Sequence, residues 1–227
     1  MKRFATAAFA AAVLLVSHSV SAQTSQTSAQ GESWTDKWLK GPTVTGAAGV
    51  TLTKKTGGLI SGEVGKEIWP KTMITIEGGW MSSVVSSHRI DSASAIADYL
   101  AQTQGQPASA SVKVPAGYGA VNVRRTVYSK PRYNVYALGG LGLAVTSPKS
   151  TFILGGTDVS GSLAQYGVTL GKDLSGSSVG ALINLGVGAT YPYGKWVGDV
   201  SYRLTPMFTP GQATIVNRFV FGVGRKF

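Results

Sequence analysis

The sequence predicts an all-β fold, an eight-stranded antiparallel barrel that crosses a membrane, with short turns at one end and longer loops at the other. Three observations predict it. Polar and apolar residues alternate through eight separate runs, the pattern of strands with two differently solvated faces. The connections between runs alternate between very short and longer. Aromatic residues gather at strand ends beside the short connections, as they do at the headgroup level of membrane barrels.

Composition agrees with this class and excludes others. Of 227 residues, 43% are hydrophobic and only 14% charged, with 30 glycines; a soluble domain carries roughly 25% charge. That much apolar residue argues against disorder throughout. The chain has no cysteine, so disulfide scaffolds, thiolate metal sites and cysteine catalysis are excluded. The formal charge of +11 is spread along the chain rather than clustered, so it does not in itself indicate nucleic-acid binding.

The N-terminus reads as an export signal. Lys2 and Arg3 precede an apolar run from Phe4 to Val16, and Val20-Ser21-Ala22 offers small residues for cleavage after Ala22. A membrane helix needs about 20 apolar residues, and this run is shorter. Residues 1–22 are thus expected to be a signal peptide and 23–42 a polar lead segment in the periplasm, with the barrel over 43–227.

The strands are expected at about 43–53, 59–69, 72–84, 117–127, 132–146, 179–191, 196–206 and 215–227. In the third, Ile74, Ile76 and Trp80 oppose Thr75, Glu77 and Gly79. In the fifth, Tyr133, Val135, Leu141, Leu143 and Val145 oppose Asn134, Tyr136, Gly140 and Gly142. The seventh sets Trp196, Val200, Tyr202 and Leu204 against Asp199, Ser201 and Arg203, and the last sets Phe219, Phe221, Val223 and Phe227 against Arg218, Gly222 and Gly224. Short Pro- and Lys-containing turns follow Trp69, Ser129 and Tyr191. Longer connections are expected at 54–58, 85–116, 147–178 and 207–214. The second of these has room for a short helix with Asp91 as N-cap and Ile96, Tyr99 and Leu100 on one side; residues 150–172 have room for a further strand.

Alternation alone does not distinguish a barrel in water from one in lipid. Trp69, Tyr133, Tyr191, Trp196 and Phe227 beside the short turns favour lipid. So does the polar face, where glycines are interspersed with the isolated charges Glu63, Glu67, Glu77, Asp199, Arg203 and Arg218. An eight-stranded interior is just wide enough to be filled by side chains, and charges enclosed there must pair. Arg125 shares parity with the apolar Val121, Val123 and Val127, which points to a bulge or altered register in 117–127.

The terminal run Asn217-Arg218-Phe219-Val220-Phe221-Gly222-Val223-Gly224-Arg225-Lys226-Phe227, with the alternating strands before it, resembles the OmpA/OmpX-like family of small outer-membrane β-barrels. The resemblance covers roughly 43–227. It implies an eight-stranded barrel in the bacterial outer membrane, with periplasmic turns and extracellular loops, inserted by the barrel assembly machinery through a last strand bearing Phe219, Phe221 and Phe227. Arg225 departs from the family's apolar pattern, at a place where it can snorkel to the interface.

Chemistry is sparsely encoded. Gly176-Ser177-Ser178-Val179-Gly180 matches a nucleophile-elbow pattern but opens a strand, the wrong context for one. His88 is the single histidine after the export signal and supplies no metal site; with Ser86, Ser87 and Asp91 nearby it is the one candidate for a lipid-A-modifying activity. No catalytic, metal or cofactor site is therefore assigned. The expected function is non-enzymatic, structural or surface-interacting, with a small pore for ions or solutes as the alternative. The expected partners are outer-membrane lipid, lipopolysaccharide phosphates through Lys54, Lys55, Arg89, Lys113, Lys149 and Lys172, the assembly machinery, and an extracellular ligand bound through 85–116 and 147–178, with no nucleic acid.

Overall fold

The computed structural model describes residues 41–227, apart from 172 and 211. The export segment 1–22, most of the lead segment and the loop cation Lys172 lie outside the described residues. Eight long strands close into an antiparallel barrel: β1 (Thr43–Leu52), β2 (Thr56–Trp69), β3 (Thr72–Met81), β5 (Ala116–Lys130), β6 (Tyr133–Thr146), β9 (Ser178–Tyr193), β10 (Trp196–Thr209) and β11 (Gln212–Lys226). Each pairs with its neighbour in the chain, and β1 pairs with β11 from Thr43↔Lys226 to Leu52↔Asn217, so the barrel strands leave no free edge.

The expected alternation sets the two faces. Val121, Val123, Leu141, Leu143, Val187, Phe219, Phe221 and Val223 point outward and are exposed, whereas Glu77, Asn122, Asn184, Arg203 and Arg218 point inward and are buried. This is the reverse of a barrel in water. No helix among the described residues is long and apolar enough to cross a membrane.

Arg125 fits the regular register, opposite Thr72 and Ala137 on the outer face. The irregularity lies one step further on, between Thr126 and Tyr128, with another between Glu67 and Trp69. Both bulges sit beside short turns, where an extra residue sharpens the local twist.

Two connections differ from expectation. Residues 207–214 are no long loop: β10 continues to Thr209 and β11 starts at Gln212. Pro206 reads as a breaker because it has no N–H to donate. Here the ladder to β9 passes from Leu204↔Leu185 to Met207↔Leu182 without it, while the ladder to β11 runs through Pro206↔Ile215. Residues 53–55 are also a tight connection, so among the described residues the barrel is elaborated at two places.

Those two places form a cap. After β3 the chain enters α1 (Ser87–Gln104) and then β4 (Ala108–Lys113); after β6 come β7 (Lys149–Leu154), β8 (Thr157–Asp158) and a 3-10 turn at Leu163–Tyr166. The strands join as a sheet in the order β4-β7-β8, and α1 packs on β4 and β7. The helix is longer than expected, and its N-cap is Ser86, whose hydroxyl accepts the Arg89 N–H at 3.4 Å, not Asp91. Val85 before the cap and Ile90 after it enter the same apolar cluster, which fixes the chain's angle of entry. Leu100 is buried and Ile96 partly so, while Tyr99 faces out. Gly105 closes the helix at φ 65°, donating to Ala101 O at 3.0 Å.

Candidate functional site

The chemistry-bearing side chains gather inside the barrel, toward the short-turn end. Six charges from five strands form one line of alternating sign. Asp199 on β10 meets Arg124 on β5 at 3.2 Å, and Arg124 meets Glu63 on β2 at 2.8 Å. Glu63 approaches Arg203, which shares β10 with Asp199, at 3.5 Å; Arg203 meets Glu77 on β3 at 2.6 Å; Glu77 meets Arg218 on β11 at 3.3 Å. Three carboxylates offset three guanidiniums, so the line carries no net charge.

Neutral groups add hydrogen bonds to the line, and of its buried polar atoms the Nε of Arg124 and the Nε of Arg218 are left without one. Tyr118 donates to Glu77 at 2.7 Å and Asn122 donates to it at 3.2 Å. Tyr136 donates to Asp199 at 2.9 Å. Arg218 donates at 2.7 Å to Asn184 Oδ1, which also accepts from Thr205 at 3.1 Å. Asn184 donates in turn to Asn122 at 2.9 Å. Two guanidiniums stack on rings, Arg124 over Tyr136 at 4.1 Å and Arg218 over Tyr118 at 4.9 Å. Burying a charge without such partners costs several kcal/mol.

Glycines on the polar face make room for this network. A Cβ at Gly188 would lie 2.5 Å from the Tyr136 ring, and one at Gly79 would lie 2.7 Å from the Tyr118 ring. Each glycine provides the flat floor on which a tyrosine rests against its carboxylate.

The expected charges do not all come together. Glu63, Glu77, Asp199, Arg203 and Arg218 join the line. Glu67 does not: it has interior parity but sits exposed at the open mouth, where it accepts the Lys71 N–H at 2.9 Å. Arg124 joins in its place. The sequence carried a signal for it, since Arg124 has the parity of Tyr118 and Asn122, but the adjacent Arg125 on the outer face draws attention away.

Above the charges the interior turns apolar. Leu59, Met81, Leu182, Met207 and Val216 fill it, and they form one cluster with Val84, Leu100, Val112, Phe152 and Leu174 of the cap. Arg89 of α1 is buried against the barrel rim, where Gln212 of β11 accepts its Nε at 2.6 Å and donates to Ser86 at 2.6 Å. Burial lowers the Arg89 pKa, and Asp173 acts in the opposite direction. At the short-turn mouth a polar vestibule of about 150 Å³ ends against Arg124, Tyr136 and Asp199.

The other expected residues lie outside the interior. Trp69, Tyr133, Tyr191, Trp196 and Phe227 are all exposed on the outer face beside the short turns. Phe219 and Phe221 share that face of β11, and Phe219 packs on Tyr202 with ring centroids 5.0 Å apart. His88 is exposed on the first turn of α1. Ser178 is tied to Thr146 at 2.8 Å and Ser177 to Ser147 at 3.0 Å, so neither serine has a base as its partner. No cluster of potential metal ligands occurs among the described residues.

Comparison with solved structures bears on the fold. The barrel resembles Neisserial surface protein A at 11% identity, over 82% of this chain and 96% of that one, with a TM-score of 0.50. The N-terminal β-barrel domain of Pseudomonas aeruginosa OprF matches at 13% identity over 83% and 98% of the two chains, with a TM-score of 0.47. The attachment invasion locus protein Ail of Yersinia pestis matches at 13% over 83% and 100%, with a TM-score of 0.44. No family model matches the chain, and no curated protein matches it by sequence. The chain shares the fold of the small eight-stranded outer-membrane barrels.

Proposed function

We propose that this chain is a non-enzymatic bacterial outer-membrane barrel, closed to solutes, whose folded cap faces the exterior and whose short turns face the periplasm. One observation carries the reading: an apolar outer wall encloses an interior occupied throughout by paired charges and then by a core continuous with the cap. Such a barrel contributes rigidity to the envelope and presents the cap, built from 82–115 and 147–177, as its surface for interaction. Lys54 and Lys55 in the β1–β2 turn and Lys113 and Lys149 in the cap are exposed and suit lipopolysaccharide phosphates. The outward phenylalanines of β11 suit recognition by the barrel assembly machinery.

A small pore fits less well, because the vestibule ends at Arg124 and an apolar layer lies beyond it. A lipid-A-modifying site fits less well still, because His88 stands on an exposed helical turn with no carboxylate bonded to it among the described contacts. The absence of cysteine makes a direct test simple. Single cysteines are introduced at His88 in the cap and at Lys195 in a short turn, and intact cells are treated with a membrane-impermeant maleimide. The reading expects labelling at 88 in intact cells and at 195 only after the outer membrane is permeabilised. The opposite pattern, or labelling of neither before cell lysis, overturns it.

A further inference from the structure

We propose that the short-turn rim of the barrel is a binding surface for anionic phospholipid headgroups; this inference rests on the reading of the chain as a membrane barrel. The rim carries cations of two kinds. Arg125, Lys130 and Arg225 come from strands: Arg125 and Arg225 lie on the lipid-facing side, opposite Thr72 and Trp196 in the register. Lys71, Arg132 and Lys195 come from the turns, and all six are exposed.

Three features point these cations at lipid. Aromatic rings set their depth: the Arg225 guanidinium is 5.9 Å from the Trp196 ring and 5.4 Å from the Phe227 ring, and the Lys130 ammonium is 5.9 Å from the Tyr128 ring. Rings of this kind sit at headgroup level, so the cations beside them sit at phosphate level. Next, the rim has little charge of its own to meet them. Among the described residues the acidic side chain at this level is Glu67, already accepting the Lys71 N–H. The cap end differs, since Asp91, Asp98, Asp158 and Asp173 accompany its cations. Finally, Lys71 is held at φ 64°, a conformation that favours glycine, so a cationic side chain occupies a turn position where a lysine is strained.

A saccular polymer beneath the membrane is also anionic, but it would meet the turns from below. Arg125 and Arg225 project sideways among the girdle rings, the direction from which a lipid headgroup arrives. Zwitterionic headgroups offer no net charge to the surplus, whereas anionic ones do, with each cation contributing about fivefold to an association constant near such a surface.

The test uses the full chain refolded into phosphatidylcholine vesicles, with brominated phosphatidylglycerol or brominated phosphatidylcholine replacing part of the lipid. Trp69 and Trp196 lie at the rim and report which lipid is adjacent through quenching. The expected result is a phosphatidylglycerol preference of about fivefold that falls toward onefold in about 0.5 M salt, where screening is strong. The triple variant R125Q/K130Q/R225Q, substituted only at exposed positions, is expected to lose most of it while keeping the difference in gel mobility between boiled and unboiled samples. Equal quenching by the two lipids in the wild type, with that mobility shift intact, overturns the proposal and leaves the barrel reading standing. Equal quenching accompanied by sedimentation with isolated sacculi that K71Q/R132Q/K195Q abolishes assigns the rim to the polymer instead. A chain without a mobility shift in phosphatidylcholine overturns the barrel reading and this proposal together.

Discussion

The two halves of the barrel interior solve the same packing problem by opposite means. Near the short turns, charge fills the space, and each group is held by two to four partners from other strands. Near the cap, Leu59, Met81, Leu182, Met207 and Val216 fill it with groups that need no partner at all. In the polar half geometry is demanding, since moving one side chain leaves another charge unpaired in a low dielectric. In the apolar half, stability follows area removed from water, and neighbours can relax around a loss. The polar half therefore ties strands together with specific distances, and the apolar half ties the barrel to the cap.

Substitutions can break each half separately. The largest effect is expected for Glu77→Leu, which takes from Arg218 its one carboxylate and leaves Arg203 only the longer contact to Glu63; it should cost about 3–5 kcal/mol, read as a lower midpoint in a urea titration of refolded protein. An unchanged midpoint would show that the line of charges contributes nothing. On the apolar side, Leu100→Ala should cost about 2–4 kcal/mol, but in the cap alone: proteolysis of 82–115 should accelerate while the barrel's mobility shift persists. Loss of both together would mean that cap and barrel unfold as one. Gly188→Ala pushes against the Tyr136 ring and should cost about 1–3 kcal/mol by overpacking, again in the urea titration, whereas Gly117→Ala has open space and serves as the control.

The smallest expected effect is pH-dependent. Hydrogen bonds from the Ser160 hydroxyl and N–H hold the Asp158 carboxyl below its ordinary value. Its folded pKa is depressed, so its contribution is fully present above the ordinary 3.8 and lost as pH falls through the lower folded value. Faster exchange of the Ser160 amide in that window, relative to Ser160→Ala, checks it.

The polar half was the more legible in the sequence. An isolated charge on a face of glycines has few explanations, so Glu63, Glu77, Asp199, Arg203 and Arg218 stood out. Their partners Tyr118, Asn122, Tyr136 and Asn184 did not, because which groups meet across the interior depends on barrel stagger rather than on neighbours in the chain. Glu67 was misplaced because parity cannot tell the depth of the barrel from its mouth. The cap was barely legible. The helix Ser87–Gln104 is rich in Ser and Ala and buries only Arg89, Ala93, Ala97 and Leu100, so it lacks a bold apolar stripe. Its sheet joins segments that lie apart in sequence on either side of β5 and β6, which no local pattern records.

The central claim is that paired charges and the apolar core leave no path through the barrel. Single-channel recording of the refolded chain in a planar bilayer tests it most directly, with the mobility difference between boiled and unboiled samples showing that the barrel has formed. The account predicts a heat-shifting protein with no discrete openings. Reproducible unitary openings from the wild-type chain would contradict it.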